Sequence, residues 1–597
     1  MNPLLRQLAR DGDISWLSYY FAEFVSQRDG SSMDALAVLS AALVSEASLA
    51  GHVCVDLEQY RGRALFTASR PDESEVPLGP APDAWCEGLR ASGCVGDAGD
   101  AMPMILDGLR LYLNRYWHYE DRVARIVTAM LEREPDPDPA QNGVDAETLF
   151  ANQPGIDADQ LRAVHAAAGS GFSVISGGPG SGKTSTVIRI LALLRTRNPN
   201  QRIALAAPTG KAAARMMDSI RARLATLDID ADIKAALPLQ AQTLHRLLGY
   251  RRQSFTYHAE RHLPVDCVVV DEASMIDLKL MYHLLAALPP NAQLILLGDR
   301  DQLASVAAGN VLGDITGHGH RISDSTRPIA AATRLLRNSY RFGHDSAIGE
   351  LAQRVRGGKP GEAIELLRSG DRGLAWLEVD AASDADDRVE DGAVRWILDA
   401  YQPVFDCASP AEALDVYERT RLLCVTNRGP LGIDELNQRI SSALLARNQQ
   451  APASLFHGLP IMITRNLHEL GLFNGDTGIL WSFDGELRAC FRDPTGTGNT
   501  EGIRDLAINR VADFKPAWTI AVHKSQGSEF DSVLLLLPTE APGELLSREL
   551  LYTGITRARS EFRLQASRAT LGLAITRITR RHSGLAARLG WPDSDTD

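Results

Sequence analysis

The sequence predicts an α/β protein organised on doubly wound parallel sheets. Three short apolar runs carry that expectation: Val174-Ile175-Ser176, Cys267-Val268-Val269-Val270 and Leu294-Ile295-Leu296-Leu297. Each is followed by glycine or by polar and acidic residues, and each lies between stretches of helical periodicity. Such runs are buried parallel strands, and chemistry collects where their C-terminal ends meet the next turn. The chain has 597 residues, so several domains are expected, because single cores stop growing near ~250–300 residues.

The first run feeds Gly177-Gly178-Pro179-Gly180-Ser181-Gly182-Lys183-Thr184-Ser185, and Thr186-Val187-Ile188-Arg189-Ile190-Leu191 then opens a helix. Strand, glycine loop and helix in this order form a cradle for phosphates. Backbone N–H groups turn inward, and the helix adds its positive end. Lys183 is expected to reach the β- and γ-phosphates of ATP, and the Thr184 hydroxyl to sit on Mg²⁺. The second run ends in Asp271-Glu272 about 90 residues later. Asp271 is placed to hold Mg²⁺ through water, and Glu272 to polarise the attacking water. The third run leads to Gln302, a candidate sensor of the γ-phosphate. A further strand over 203–207 ends in Pro208-Thr209-Gly210-Lys211, small polar groups suited to approach a phosphate backbone. These features limit the class to phosphate-loop NTPases without saying what the nucleotide drives.

Composition narrows the rest. Apolar residues are 45% and charged residues 23% of the chain, as in ordinary globular proteins. A net charge of −13 argues against coating nucleic acid by bulk charge, but not against a local basic channel. Seven cysteines show no C-x-x-C pair and no zinc spacing, which predicts reduced thiols. There is no uninterrupted apolar leader and no stretch approaching ~18 apolar residues, so a cytoplasmic protein without a membrane segment is expected.

Residues 1–118 have helical spacing, as in Leu36, Val38, Leu39, Ala42 and Leu43, and predict a helical N-terminal domain. This block carries 16 Asp/Glu against 9 Arg and no Lys. Its acidity repels phosphate and favours docking to protein. Residues 119–144 include a proline-rich run that reads as a linker. A first α/β domain then spans 145–345, and a second spans 346–597. Within the second, 455–512 switches to short alternating strands separated by turn signals, which predicts a small β-barrel insert. The parallel pattern returns with 518–530 and 533–537, and 550–559 reads as a helix. Eight arginines between Arg557 and Arg588 stand against one acid, Glu561, and are left open between DNA and a partner. Asp277-Leu278-Lys279 is the nearest approach to a nuclease carboxylate–lysine pattern. It follows the Asp-Glu pair on a helix, so nuclease activity is not expected of this chain.

The segments 177–184, 207–216, 243–249, 270–277, 298–309, 339–342, 474–478, 523–529 and 552–559, in this order, resemble the motifs of superfamily 1 DNA helicases with two RecA-like cores. In detail they resemble the RecD helicases, the alpha subunits of RecBCD (exonuclease V) complexes. Gly51-His52-Val53-Cys54 and Leu111-Tyr112-Leu113-Asn114-Arg115 resemble the RecC-docking domain of that family. The resemblance implies a 5′→3′ motor on single-stranded DNA that acts at duplex ends in recombinational repair. It also implies a heterotrimer with RecB-like and RecC-like subunits, and an SH3-like character for the insert. Gln160 and Tyr340 then match residues against adenine, and Glu529 one facing the ribose. Arg341 and Arg557 match arginines sent across the cleft to the γ-phosphate. Thr209, Lys211, Thr243, His245, His523 and Ser525 match residues lining the single-strand channel. Residues 250–263 resemble the β-hairpin of the first core and leave no room for the large insertion of 3′→5′ relatives. A stand-alone helicase and a regulatory ATP-binding subunit are the alternatives. The intact set of hydrolytic residues speaks against the second.

Overall fold

The computed structural model describes residues 3–28, 35–66, 77–133, 157–224, 231–251, 254–317, 327–340, 346–370, 373–379, 391–493, 502–539 and 545–592. Arg341 and the part of the expected linker beyond 133 lie outside these residues.

The first core is a six-stranded parallel sheet in the order Thr333–Leu336, Phe172–Gly177, Gln293–Gly298, Cys267–Val270, Ile203–Ala207, Ala241–Thr243. The three strands of its centre are buried along their whole length because helices cover both faces. The two edge strands have only 4 and 3 residues, too few for a periodic signal. The second core is also parallel, in the order Leu374–Glu378, Ala558–Ala566, Phe530–Leu536, Thr420–Cys424, Thr519–Ala521. The expected helix over 550–559 is two elements. Arg548–Ile555 is helical, and Ala558–Ala566 is a strand whose Phe562, Leu564 and Ala566 are buried. Arg557 therefore sits in the turn between them.

The segment expected to be a small barrel forms a five-stranded antiparallel sheet: Ile503–Ala507, Glu486–Arg492, Thr477–Phe483, Pro460–Ile463, Phe514–Pro516. Its Ile461, Ile479 and Phe491 share one apolar core with Leu422, Leu534 and Trp518 of the second core. Within 250–263, Tyr250–Arg251 pairs antiparallel with Ser254–Phe255.

The N-terminal block is not helical throughout. Helices Pro3–Asp11, Trp16–Arg28 and Ala35–Leu49 pack with a four-stranded sheet of Cys54–Asp56, Arg110–Leu113, Met104–Asp107 and Val95–Gly96. Asp107-Gly108 makes the turn of its central hairpin, with Gly108 at φ 61°, and pairs Asp107 with Arg110. Ala35–Leu49 is buried continuously from Ala37 to Ser45, as an all-round apolar helix must be.

The boundary at 118 also needs correction. Asn114–Leu131 is one helix, so 119–131 is not linker. Trp117, Val123, Ala124, Val127 and Met130 form its buried stripe and share a core with Leu278, Met281, Leu284 and Leu285 of the first α/β domain.

The C-terminal segment returns to this helix as a strap. Val53 N–H donates to the His582 carbonyl at 2.8 Å, and His582 N–H donates to His52 Nδ1 at 3.0 Å. Arg581 donates to the carbonyls of Ala307 and Gly309 at 2.7 and 3.1 Å. Arg588 binds Asp107, Glu120 and Asp121 at 2.5, 3.1 and 3.3 Å. Glu120 is fully buried and also accepts from Tyr112 Oη, Ser583 Oγ and Gly584 N at 3.0, 3.0 and 2.9 Å. The arginine surplus read from the sequence is thus largely spent inside the molecule, since Arg559 and Arg563 also pair with Glu529 and Glu561.

Burial pushes the Glu120 carboxyl above its ordinary range, and Arg588 is the strongest opposing influence. Arg588→Met leaves a buried, unpaired carboxylate and is expected to cost about 3–5 kcal/mol at neutral pH. A carboxyl whose folded-state value is raised takes up protons on folding, so part of this loss returns as pH falls through the raised value. Hydrogen exchange at residues 583–591, measured at pH 5 and pH 7.5, checks both the loss and its sign.

Candidate nucleotide site and single-strand channel

The phosphate loop leaves the C-terminal end of Phe172–Gly177 and enters the helix Lys183–Arg197. Gly180 and Gly182 take φ of 74° and 85°, which turns successive N–H groups the same way. Added Cβ atoms at Gly177 and Gly178 would meet Ser181 Oγ at 2.5 Å and Tyr552 Oη at 2.9 Å, and one at Gly182 would collide with the Gln160 amide. The positive φ at Gly180 and Gly182 and the close approach at Gly177 and Gly178 favour glycine at these four positions.

Around it lies a cavity of about 640 Å³ between the two cores. From the first core it gathers Gln160, Pro179, Gly180, Ser181, Gly182, Lys183, Thr184, Ser185, Asp271, Glu272, Gln302 and Tyr340. Glu529 and Arg557 come from the second core. Residues scattered over 400 positions of sequence meet there. The Lys183 ammonium folds back onto the carbonyls of Gly177 and Gly178 at 2.5 and 3.1 Å. Asp271 is pushed up by burial and by Glu272 and held down by Lys183. Glu272 has a left-handed backbone, φ 53°, and its N–H donates to Asp271 Oδ1 at 2.8 Å. Such strain, about 1–3 kcal/mol in a non-glycine residue, is stored where function needs a side chain aimed. Gln302 donates to Asp299 Oδ2 at 3.2 Å, while its own Oε1 is buried without a hydrogen-bond partner.

The second core is joined to this loop directly. Tyr552 Oη donates to Asp299 Oδ2 at 3.0 Å, Leu303 N–H to Thr553 Oγ1 at 3.0 Å, and Gln526 Nε2 to the Leu303 carbonyl at 2.8 Å. Arg557 is held by Thr553 O, Ser528 O and Thr556 Oγ1 at 3.0, 3.1 and 3.2 Å. Its guanidinium therefore travels with the second core. Tyr340 is half-exposed, and its hydroxyl donates to Asp157 at 2.7 Å. Gln160 is buried, donating to Ser181 O at 3.4 Å and accepting from Arg189 at 3.3 Å. Glu529 lines the cavity but pairs with Arg215 and Arg559. Sequence reasoning assigned no role to Arg189, Arg215 or Arg223, which add positive charge to the same wall. As helix residues they carry no local signal.

The chain's residues fit a magnesium triphosphate. The glycine cradle keeps the loop open, and Thr184, Asp271 and Lys183 line the same cavity, with Lys183 opposing the upward push of burial and Glu272 on the Asp271 carboxyl. No cluster of three His, Cys, Asp or Glu side chains that could hold a metal ion exists among the described residues.

Of the channel candidates, Thr209 and Thr243 cap the starts of the helices Gly210–Leu224 and Leu244–Leu247, their hydroxyls accepting from Ala212 and Arg246 N–H at 3.2 Å each. Lys211 keeps a water-accessible ammonium inside a protein-walled cleft, where burial and then Arg421 push it down to about 8. His245 is exposed on the same face. His523 is half-buried, with burial lowering its proton affinity. Ser525 does not reach the channel: it is fully buried and donates to the Val522 carbonyl at 2.6 Å. Its exposed neighbour Lys524 bonds Asn474 Oδ1 at 2.7 Å instead.

Family models match three parts of the chain: an AAA domain over 160–308, the N-terminal domain of the RecBCD enzyme subunit RecD over 10–112, and a UvrD-like helicase C-terminal domain over 516–564. The RecBCD enzyme subunit RecD of Mycolicibacterium smegmatis is 37% identical, over 93% of this chain and 94% of that protein. The corresponding subunit of Haemophilus influenzae is 32% identical over 99% of both. The ATP-dependent RecD2 DNA helicase of Deinococcus radiodurans is 29% identical over 80% of this chain and 58% of that protein. A likeness that runs from the N-terminal block through both cores places the chain in the family of RecBCD enzyme subunits RecD.

Proposed function

We propose that this chain is an ATP-dependent DNA helicase, one motor of a RecBCD-type helicase–nuclease, and that it moves 5′→3′ on single-stranded DNA in the cytoplasm. The observation that carries the reading is the composite cavity, in which Lys183, Asp271, Glu272 and Gln302 of one core face Glu529 and Arg557 of the other. The RecD-type N-terminal domain supports assembly with RecB-like and RecC-like partners at duplex ends. Among the described residues no helix is long and apolar enough to cross a membrane.

The chemistry follows from what each residue can do. Lys183 exchanges the carbonyls of Gly177 and Gly178 for β- and γ-phosphate oxygens. Thr184 Oγ and, through water, Asp271 would hold a magnesium ion, which supplies neutralising charge to those oxygens. Glu272 accepts the proton of the attacking water, and the unpartnered Oε1 of Gln302 accepts its second hydrogen bond. Arg557, carried by the second core, stabilises charge on the transferred phosphoryl when the cleft closes. Arg341 is proposed for the same role from the family motif. Tyr340 and Gln160 would bracket adenine, with Glu529 toward the ribose. Release of phosphate removes the partner of Arg557 and lets the cleft open. Each cycle moves Thr209, Lys211, Thr243 and His245 of the first core relative to His523 of the second along the strand. The short hairpin in the first core supports the 5′→3′ direction.

Lys183→Gln and Arg557→Ala are each expected to lower the DNA-stimulated ATPase rate by about 10³-fold, whereas Glu272→Gln keeps ATP affinity and traps the closed state. Stopped-flow binding of a fluorescent ATP analogue alongside phosphate release separates these outcomes. Partial duplexes with a 5′ single-stranded tail should be unwound and those with a 3′ tail left intact. The reverse result overturns the polarity but not the helicase. Since burial holds Lys211 near 8 and a phosphate favours its charged form, affinity for single strands should fall as pH rises through 8, and Lys211→Arg should flatten that profile in an anisotropy titration.

A further inference from the structure

A line of aromatic rings leaves the single-strand residues and crosses the outer face of the first core. His245 meets Tyr250 edge-on with ring centres 5.3 Å apart, Tyr250 lies 5.0 Å from Phe255, and Phe255 lies 4.4 Å from His283. The line continues through Tyr282, 5.1 Å from His283, to Tyr119 at 4.9 Å. Four separate elements supply these rings: the short helix Leu244–Leu247, the hairpin, the helix Leu278–Ala287, and the helix Asn114–Leu131. Tyr250 is 43% exposed, and Phe255, His283, Tyr282 and Tyr119 are only partly covered. At the far end a hollow of about 340 Å³ is flanked by His118, Arg122, Arg133 and His262. Arg122 is exposed, while Arg133 donates to the Ala292 carbonyl at 2.9 Å.

Packing between the helices does not by itself call for an unbroken row of half-open rings. The buried stripe of Asn114–Leu131 makes the main contact with Leu278–Ala287, and Tyr119, Tyr282 and Phe255 pack on its rim while staying partly open to solvent. Rings with an accessible face, edged by cations on a protein of net charge −13, are the surface on which single-strand binders stack bases while cations follow the backbone. The nearby acids are few. Asp277 spends one oxygen capping Leu280 N–H at 2.8 Å, and Glu260 sits in the exposed hairpin.

We propose that this aromatic path is a second single-strand site, outside the cleft between the cores, on which the bases of the strand extending beyond Thr243 and His245 stack. The inference rests on the reading of the chain as a single-strand motor. It adds a track that lengthens the footprint and carries the strand toward the N-terminal block.

The test uses the full chain and fluorescent oligothymidines of about 8 and about 20 nucleotides, short enough to fill only the cleft and long enough to reach the rings. The natural protein should bind the longer strand at least about tenfold more tightly. In a Tyr119→Leu/Tyr282→Leu variant the short strand should bind as before, which also reports an intact fold, and the gain with length should vanish. Tyr282→Phe, which keeps the ring, should retain the gain, and Arg122→Gln should lower the salt slope for the long strand by about one. Iodouracil cross-linking should label Tyr119 or Tyr282 only with the longer strand. A length gain absent from the natural protein, or persisting in the double variant, overturns the track. Loss of partner-subunit assembly in the double variant with the gain intact also overturns it, in favour of a protein-docking surface. Failure of the natural protein to bind even the short strand overturns the single-strand reading beneath it.

Discussion

A triphosphate brings about four negative charges into a cleft, and everything in this fold answers to the need to meet them with fixed donors. Backbone N–H groups of the glycine loop are available only because Gly177, Gly178 and Gly182 have no side chains to collide with Ser181, Tyr552 and Gln160. One core cannot complete the set. In the proposed reaction the charge on the transferred phosphoryl would be met from the second core, where Arg557 is held by three oxygen acceptors. On that reading hydrolysis is coupled to domain position, because the arginine travels with the second core.

The direct contacts between the cores are mainly polar, with Leu303 as an apolar exception that packs in the cluster of the second core. Tyr552, Thr553 and Gln526 reach the loop from Asp299 to Leu303, Tyr552 also lies against Gly178, and Glu529 pairs with Arg215. The loop from Asp299 to Leu303 also carries Gln302, so in the proposed cycle a shift of the second core would reach the γ-phosphate sensor without any long relay. By contrast, the N-terminal block is joined to the first core by a continuous apolar cluster that includes Trp117, Val127, Met281 and Leu284. Burial of that kind does not slide. The N-terminal block and first core share one continuous core, and in the proposed cycle they would move as one body relative to the second core.

Much of the site was legible in the sequence because its strands are long, apolar and closed by chemistry-bearing residues. Lys183, Asp271, Glu272 and Gln302 fall at strand ends that hydrophobic pattern alone locates, and the structure puts them in one cavity. What escaped has equally physical reasons. The helix Asn114–Leu131 contains no proline or glycine to mark a boundary, and only its partner in space shows that it belongs to the first core. The hairpin at Asp107-Gly108 carried a visible turn signal, but the apolar helix before it dominated the reading. Ser525 matched a channel motif by position, yet its hydroxyl is turned inward to Val522. Arg557 was placed on a helix because Arg548–Ile555 runs without a breaker into the strand that follows. Arginine counts showed a surplus without showing that Glu120, Asp107 and Asp121 absorb Arg588 from a distance of more than 460 residues.

That last contact has a kinematic consequence. The second core is attached to the first body where the chain enters it after Leu336 and again where the strap closes on His52, Ala307 and Glu120. A rigid part fastened at one point can swing in any direction, but one fastened at two can only turn about the line that joins them. In the proposed motor the strap would act as the second bearing of a hinge. It would confine the stroke to rotation about that line, and the distance advanced per turnover would follow the separation of the channel residues from that axis.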